Sequence, residues 1–347
     1  MRPAMTTPPK LSPGDRVAVL SPSSAAPALF PAVHEQSLRR LRAELGLELV
    51  EFPSTRRQST PQERAADLTA AYADPTIRAV FATIGGDDQI TVLRHLDPAP
   101  FLADPKPFFG FSDNTNLLNW LWHHGIAAYH GGSTMVFFGR AAGPGPQMSA
   151  SLRAALFTGG ELEIAPAETF REEELDWADP IALTGSVPSY PSPGRHWHRP
   201  DRVVSGPTWG GCLEILHWTL AANRWMRPVE DYAGCVLLLE TSEEMPSGAE
   251  VFDMLRNFGE RGLLEQFPAA LVATAKATAL FNPRTIEQRT AFREEQREAV
   301  LRAFATYNPE AMVVFGVDFG HTDPQWVLPY GGRVTIDGPA RRITAAY

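Results

Sequence analysis

Cysteine is scarce in this chain. Cys212 and Cys235 are the only two, and neither belongs to a CxxC pair. That excludes a disulfide-stapled scaffold and leaves a thiolate zinc site short of ligands. Long apolar runs are missing as well. The opening stretch, MRPAMTTPPKLSPGDRVAVL, carries no apolar segment behind its basic residue, and nothing further along is long enough to span a bilayer. The expectation is a cytoplasmic protein with no membrane partner. Two phosphate signatures are also missing. No GxGxxG follows the first predicted strand and no GxxxxGK[ST] occurs anywhere, so neither dinucleotide nor P-loop chemistry has support. Positive charge is in deficit, with a formal net charge of -9. That argues against bulk attraction to a nucleic-acid polymer or an anionic membrane. The cations that are present are mostly arginine, which favours bidentate and buried pairing.

What is present suits a two-domain globular protein. The chain has 347 residues, 44% of them hydrophobic, enough for a sizeable core and more than a typical single domain. Its first half alternates short apolar strands with amphipathic helices. Arg16–Leu20 reads as a strand, Val33–Leu45 has helical periodicity with Gly46 as its stop, and ELVEFP is a second strand. Thr60, Pro61 and Glu63 make a helix-start signature. RAVFATIGG and PFFGF repeat the strand pattern, each followed by a helix, and IAAYHGG begins another strand. This predicts a mostly parallel, flavodoxin- or Rossmann-like sheet flanked by helices over 1–165. A loop-rich connection, acidic and then rich in proline and aromatics, is expected over 166–200. A second domain follows over 201–347, with GCVLLLE and AALVATAKAT as strands and glycine-turned strands near the end.

In parallel sheets, ligands bind beyond the carboxyl ends of the strands. The small and polar clusters fall there: Ser21–Ser24, Gly85-Gly86-Asp87-Asp88, Ser112-Asp113 and His130-Gly131-Gly132. Ser112 stands between an apolar run and a helix, a place that suits an ordinary N-cap and a nucleophile equally well. A reactive serine needs a base and a group to orient that base. His321, after the strand-like FGVDFG, is a candidate base. Glu240, at the end of CVLLLE, is a carboxylate that needs a partner if buried. Glu243 and Glu244 read as its exposed neighbours. His123 and His124 are accounted for by the end of their helix. His196 and His198, in HWH, offer a weaker metal-site alternative without a carboxylate-bearing helix.

Taken in order, GGDDQITVLRHLD, KPFFGFSDNT, YHGG, TWGGCLEIL, CVLLLETSEE and FGHTDPQWVLPYGGRVTID resemble the LD-carboxypeptidase family of serine peptidases. The likeness runs from about Leu11 to Ile336 and is closer to the microcin C self-immunity type than to the murein tetrapeptide type. It implies an N-terminal α/β domain bearing the nucleophile and a C-terminal β-rich, barrel-like α/β domain. It further implies a Ser-Glu-His triad of Ser112, Glu240 and His321, with backbone donors at Gly86 and Asp113 forming an oxyanion hole. No cofactor or metal is implied, and a homodimer is. The substrate is expected to be a small peptide or a peptidyl- or aminoacyl-nucleotide. Murein tetrapeptide cleavage and non-catalytic binding of a small molecule are the alternatives. For a nucleotide base, Trp197 and Trp209 are the candidate stacking residues, because they flank the connection into the second domain.

Overall fold

A computed structural model describes residues 4–347. The first half follows the predicted alternation. Strand β1 (Arg16–Leu20) leads through α1 (Ala26–Leu29) and α2 (Pro31–Leu45) to β2 (Glu48–Glu51). Helix α3 (Pro61–Ala73) begins with a capping box in which Thr60 and Glu63 satisfy each other's backbone N–H groups. Strand β3 (Ile77–Ala82), α4 (Ile90–Leu93), α5 (Pro98–Ala103), β4 (Phe108–Gly110), α6 (Thr115–His123), β5 (Ala128–His130), α7 (Thr134–Phe138) and α8 (Pro146–Arg153) complete this part. Its parallel strands lie in the order β2-β1-β3-β4-β5. This is the flavodoxin-like order, whose ligand-binding switch point lies between β1 and β3.

The second half builds an eight-stranded half-barrel. Strand β6 (Glu161–Glu163) comes first, then a small hairpin of β7 (Thr169–Phe170) and β8 (Tyr190–Pro191) within the connection. There follow β9 (His196–His198), β10 (Val203–Cys212), α9 (Leu213–Ala222), β11 (Val236–Glu240), α10 (Gly248–Glu260), β12 (Ala269–Ala273), α11 (Ile286–Tyr307) and β13 (Met312–Val317). Last come β14 (Leu328–Tyr330), β15 (Arg333–Asp337) and β16 (Arg342–Ala346). Strands β10 to β13 are parallel, and β15, β16, β6 and β9 extend them antiparallel. The acidic connection is held by ion pairs, since the buried Glu172 carboxylate receives both Arg289 and Arg293 of α11.

Two features bring the halves together. Strand β14 leaves the half-barrel and pairs antiparallel with β5 of the first sheet, so the segment between β13 and β14 must cross from one sheet to the other. One hydrophobic core also runs through both halves, joining Leu117, Leu121 and Trp122 of α6 to Trp209, Leu213 and Leu216 of β10 and α9. A continuous apolar contact of this kind favours a fixed relation between the sheets. The carboxyl ends of β4 and β11 therefore face a shared cleft, and the crossing segment carries His321 into it.

Candidate active site

Strand β4 ends at Gly110, Phe111 stays extended, and Ser112 turns abruptly to φ +60 as the first residue of a short 3-10 turn that leads into α6. Positive φ is costly for a residue with a Cβ, about 1–3 kcal/mol, and such residues concentrate at functional sites. The turn and the helix after it have no side-chain cap from Ser112. Of the two roles its position allows, capping is the one not realised.

The reason for the sharp turn lies across the sheet. A methyl group on Gly85 would stand 2.8 Å from Ser112 Cβ, 2.9 Å from Ser112 Oγ and 3.3 Å from the Asp113 nitrogen. Only glycine lets the turn after β3 approach the serine this closely. Gly86, one residue on, lies against Ser23 and Ser24 at the end of β1. The Asp113 carboxylate locks these turns together. It accepts hydrogen bonds from the Gln89 backbone N–H (3.0 Å), the Asn116 amide (2.8 Å) and the Ser23 hydroxyl. Burial raises the Asp113 carboxyl above its usual range, with those donors acting in the opposite sense. Arg64, itself buried, holds Asp88 through two 2.7 Å hydrogen bonds and also donates to the Ser23 carbonyl at 2.8 Å. The turns beside Ser112 are thus rigidly supported, which lets backbone N–H groups be fixed in place before a charge develops.

Glu240 closes the fully buried strand β11, and its Oε2 lies 2.6 Å from His321 Nδ1. Gly320, at φ +85, permits the approach, because a Cβ there would sit 2.9 Å from Glu240 Cβ. A second imidazole, His130 at the end of β5, stands 3.8 Å from Glu240 Oε1. Burial pushes the Glu240 carboxyl up, but His321 and His130 outweigh it and hold the group at about 2. Burial alone would lower the His321 imidazole. The carboxylates around it, Glu240 first and then Glu243 and Glu214, raise it instead to about 9. The Phe111 ring, next to Ser112 in sequence, packs edge-on against the His321 ring with centroids 5.0 Å apart. His321 thus reaches the turn that carries Ser112, with one nitrogen fixed by Glu240. Among the described residues no hydrogen bond joins Ser112 to His321 Nε2. That nitrogen has Glu243 Oε2 at 3.2 Å.

Several residues stand elsewhere than the sequence suggests. Trp209 is fully enclosed, donating to Asn119 at 3.0 Å and packed on Tyr232 and Phe267, so no ligand base can stack on it. Trp197 lies on edge strand β9, packed against the half-barrel core with the Arg341 guanidinium 5.4 Å from its ring centre. Trp209 fills a structural contact instead of presenting a stacking face, whereas Trp197 is half-buried. His196 and His198 are exposed on that same edge strand. Glu243 is more than an exposed neighbour, since it reaches the imidazole. Sequence reasoning placed His130 at a ligand-facing strand end without pairing it with Glu240, and it passed over Gln89, Glu214 and Trp177. Trp177, in the connection, packs edge-on against Phe30 at 5.7 Å and belongs to the cluster containing Ile84, the residue before Gly85. Its signal was an indole inside an otherwise acidic loop.

Known proteins share this layout. The LD-carboxypeptidase N-terminal domain matches residues 17–131 and the LD-carboxypeptidase C-terminal domain matches residues 205–336, so each half of the cleft comes from one matched region. A candidate carboxypeptidase of Vibrio cholerae is 26% identical over 338 residues, covering 94% of this chain and 93% of its own. The microcin C7 self-immunity protein MccF of Escherichia coli is 25% identical, covering 83% of this chain and 79% of its own. The solved structure of MccF in complex with aspartyl sulfamoyl adenosine superposes with a TM-score of 0.82 at 22% identity, over 99% of both chains. Matched in both halves and in fold, with the two matched domains meeting at the Ser112 cleft, the chain belongs to the LD-carboxypeptidase family and is a serine peptidase.

Proposed function

We propose that Ser112 is the nucleophile of a Ser-His-Glu triad completed by His321 and Glu240, and that it cleaves an amide bond through an acyl-enzyme. His321 Nε2 takes the Ser112 proton as Oγ bonds to the substrate carbonyl carbon. The resulting oxyanion is received by the Asp113 and Gly86 backbone N–H groups, and losing one such donor typically costs about 3 kcal/mol in the barrier. His321 then gives the proton to the leaving nitrogen as the C–N bond breaks. Water, deprotonated by the same imidazole, hydrolyses the ester and restores the serine. Glu240 fixes the imidazole through Nδ1 and offsets its positive charge. The observation that carries this reading is the Ser112 backbone, held at φ +60 directly against the Gly85 turn. Strain at a serine flanked by a rigid donor turn has a use in acyl transfer and none in capping.

The substrate we infer is an aminoacyl- or peptidyl-nucleotide. Support comes from the likeness to MccF, whose solved complexes hold aspartyl sulfamoyl adenosine and, in a variant, adenosine monophosphate. Trp177, beside the Gly85 turn and half-buried, supports a base-binding wall that does not use the enclosed Trp209. Murein tetrapeptide hydrolysis is the second reading. It draws on 35% identity over 122 residues to the murein tetrapeptide carboxypeptidase of Pseudomonas aeruginosa, which covers 33% of this chain. The test offers purified protein an aminoacyl sulfamoyl adenylate and a murein tetrapeptide ending in D-alanine. Release of the free amino acid from the first, at a kcat/KM well above that for D-alanine release, supports the nucleotide reading, and the reverse order overturns it. A homodimer belongs to the same proposal, and light scattering in solution checks it.

A further inference from the structure

We propose that Glu243 is a gate on the His321 imidazole, and that a cationic group on the substrate opens it. The inference rests on the reading of Ser112 and His321 as nucleophile and base. It starts from one atom: Nε2 must accept the Ser112 proton, yet Glu243 Oε2 stands 3.2 Å from it. Nε2 cannot serve both groups at once, so catalysis requires this carboxylate to give way.

The surroundings decide what kind of group displaces it. Glu243 Oε2 is turned inward and has no hydrogen-bond partner among the described residues, although the side chain as a whole is partly exposed at the mouth. Its one ion-pair partner among those residues is His321. The other charged groups facing the imidazole are Glu240 on β11 and Glu214 on α9, both carboxyls. His130 on β5 already faces Glu240, and Glu214 is taken up by the Ser242 backbone N–H and hydroxyl. Asp323, two residues beyond His321, is itself paired with Arg140 and Arg171. When Nε2 serves Ser112 instead, nothing among the described residues replaces it beside Glu243. An unpaired, partly desolvated carboxylate among other carboxyls is unfavourable. A substrate that brings an ammonium or guanidinium group to the mouth removes that penalty, whereas an acidic substrate adds repulsion. The charge preference expected here is therefore the reverse of the aspartyl and glutamyl groups held in the MccF complexes.

Two readouts separate the gate from the substrate reading. The first needs no natural substrate: the rate at which a fluorophosphonate labels Ser112 is measured from pH 6 to 10 in wild type and in Glu243→Gln. The variant is expected to label about tenfold faster near pH 7, its profile moved about one unit toward acid. Superimposable profiles, or slower labelling by the variant, overturn the gate. The second compares lysyl and glutamyl sulfamoyl adenylates. Wild type is expected to favour the lysyl compound by about tenfold or more in kcat/KM, and Glu243→Gln to bring the ratio toward one. A ratio unchanged by the substitution, or a wild-type preference for the glutamyl compound, overturns the charge selection. If neither nucleotide is hydrolysed while the labelling profiles differ as expected, the substrate reading fails and the gate on His321 stands.

Discussion

The strain at Ser112 is measurable with two substitutions that both remove the hydroxyl. Ser112→Ala keeps a Cβ and so keeps the penalty of φ +60, about 1–3 kcal/mol. Ser112→Gly abolishes that penalty but gains about 0.4–1 kcal/mol of unfolded-chain entropy. The difference leaves Ser112→Gly more stable than Ser112→Ala by about 1 kcal/mol, with roughly 2 as a practical ceiling. An unfolding entropy of about 2.1 cal/mol/K per residue makes 1 kcal/mol worth only about 1–2 °C for a chain of this length. The comparison is therefore best made by paired thermal scans at one scan rate, backed by denaturant midpoints. Both variants are expected to lose hydrolysis, which separates stored strain from chemistry. If Ser112→Gly is no more stable than Ser112→Ala, the backbone at this position stores no strain and the structural reason for preferring a nucleophile over a cap is gone.

Other outcomes follow from the same geometry. Gly85→Ala would set a methyl 2.9 Å from Ser112 Oγ, so kcat should fall at least a hundredfold while circular dichroism stays native. Glu240→Gln leaves Ser112 untouched but deprives the imidazole of its charged partner, and kcat is expected to drop by about 10³–10⁴. In wild type, His321 is raised to about 9 and accepts a proton only when neutral. Its kcat/KM should climb with pH and level off above about 9, with about one hundredth of the plateau at pH 7. Removing the Glu240 charge removes the main cause of that rise, so the residual activity of Glu240→Gln should level off at lower pH. A profile flat between pH 6 and 9 in wild type would contradict the arrangement of carboxylates around His321.

Local signals in the sequence served well where local chemistry decides the structure. The Thr60–Glu63 capping box, the stop at Gly46 and strand β1 at Arg16–Leu20 all stand where the pattern put them. The alternation of strands and helices led to a parallel sheet, and the polar clusters at strand ends did converge beside Ser112. What could not be read depends on distant partners. Ser112 takes a positive φ because of where Gly85 lies, 27 residues earlier and two turns away in the fold. His130 gained its place from Glu240, in the other half of the chain. Strands β14 and β15 are separated by a glycine pair, and nothing in that short turn announces that they join different sheets. Trp209 misled for a related reason. A tryptophan at the start of a glycine-rich strand end marks proximity to the domain contact, but exposure is set by what packs over it, here Tyr232 and Phe267. Glu243 looked like a solvated neighbour because a single sequence does not show that the loop after β11 folds back on the imidazole.

The central claim is that Ser112 is a nucleophile activated by His321. Its most direct measurement is the site and rate of covalent labelling by a fluorophosphonate, followed by intact mass and peptide mapping. One adduct per chain is expected on the peptide containing Ser112, absent in Ser112→Ala and slowed at least a thousandfold in a folded His321→Ala variant. An adduct on another residue, or labelling of Ser112 at an unchanged rate without His321, would contradict it.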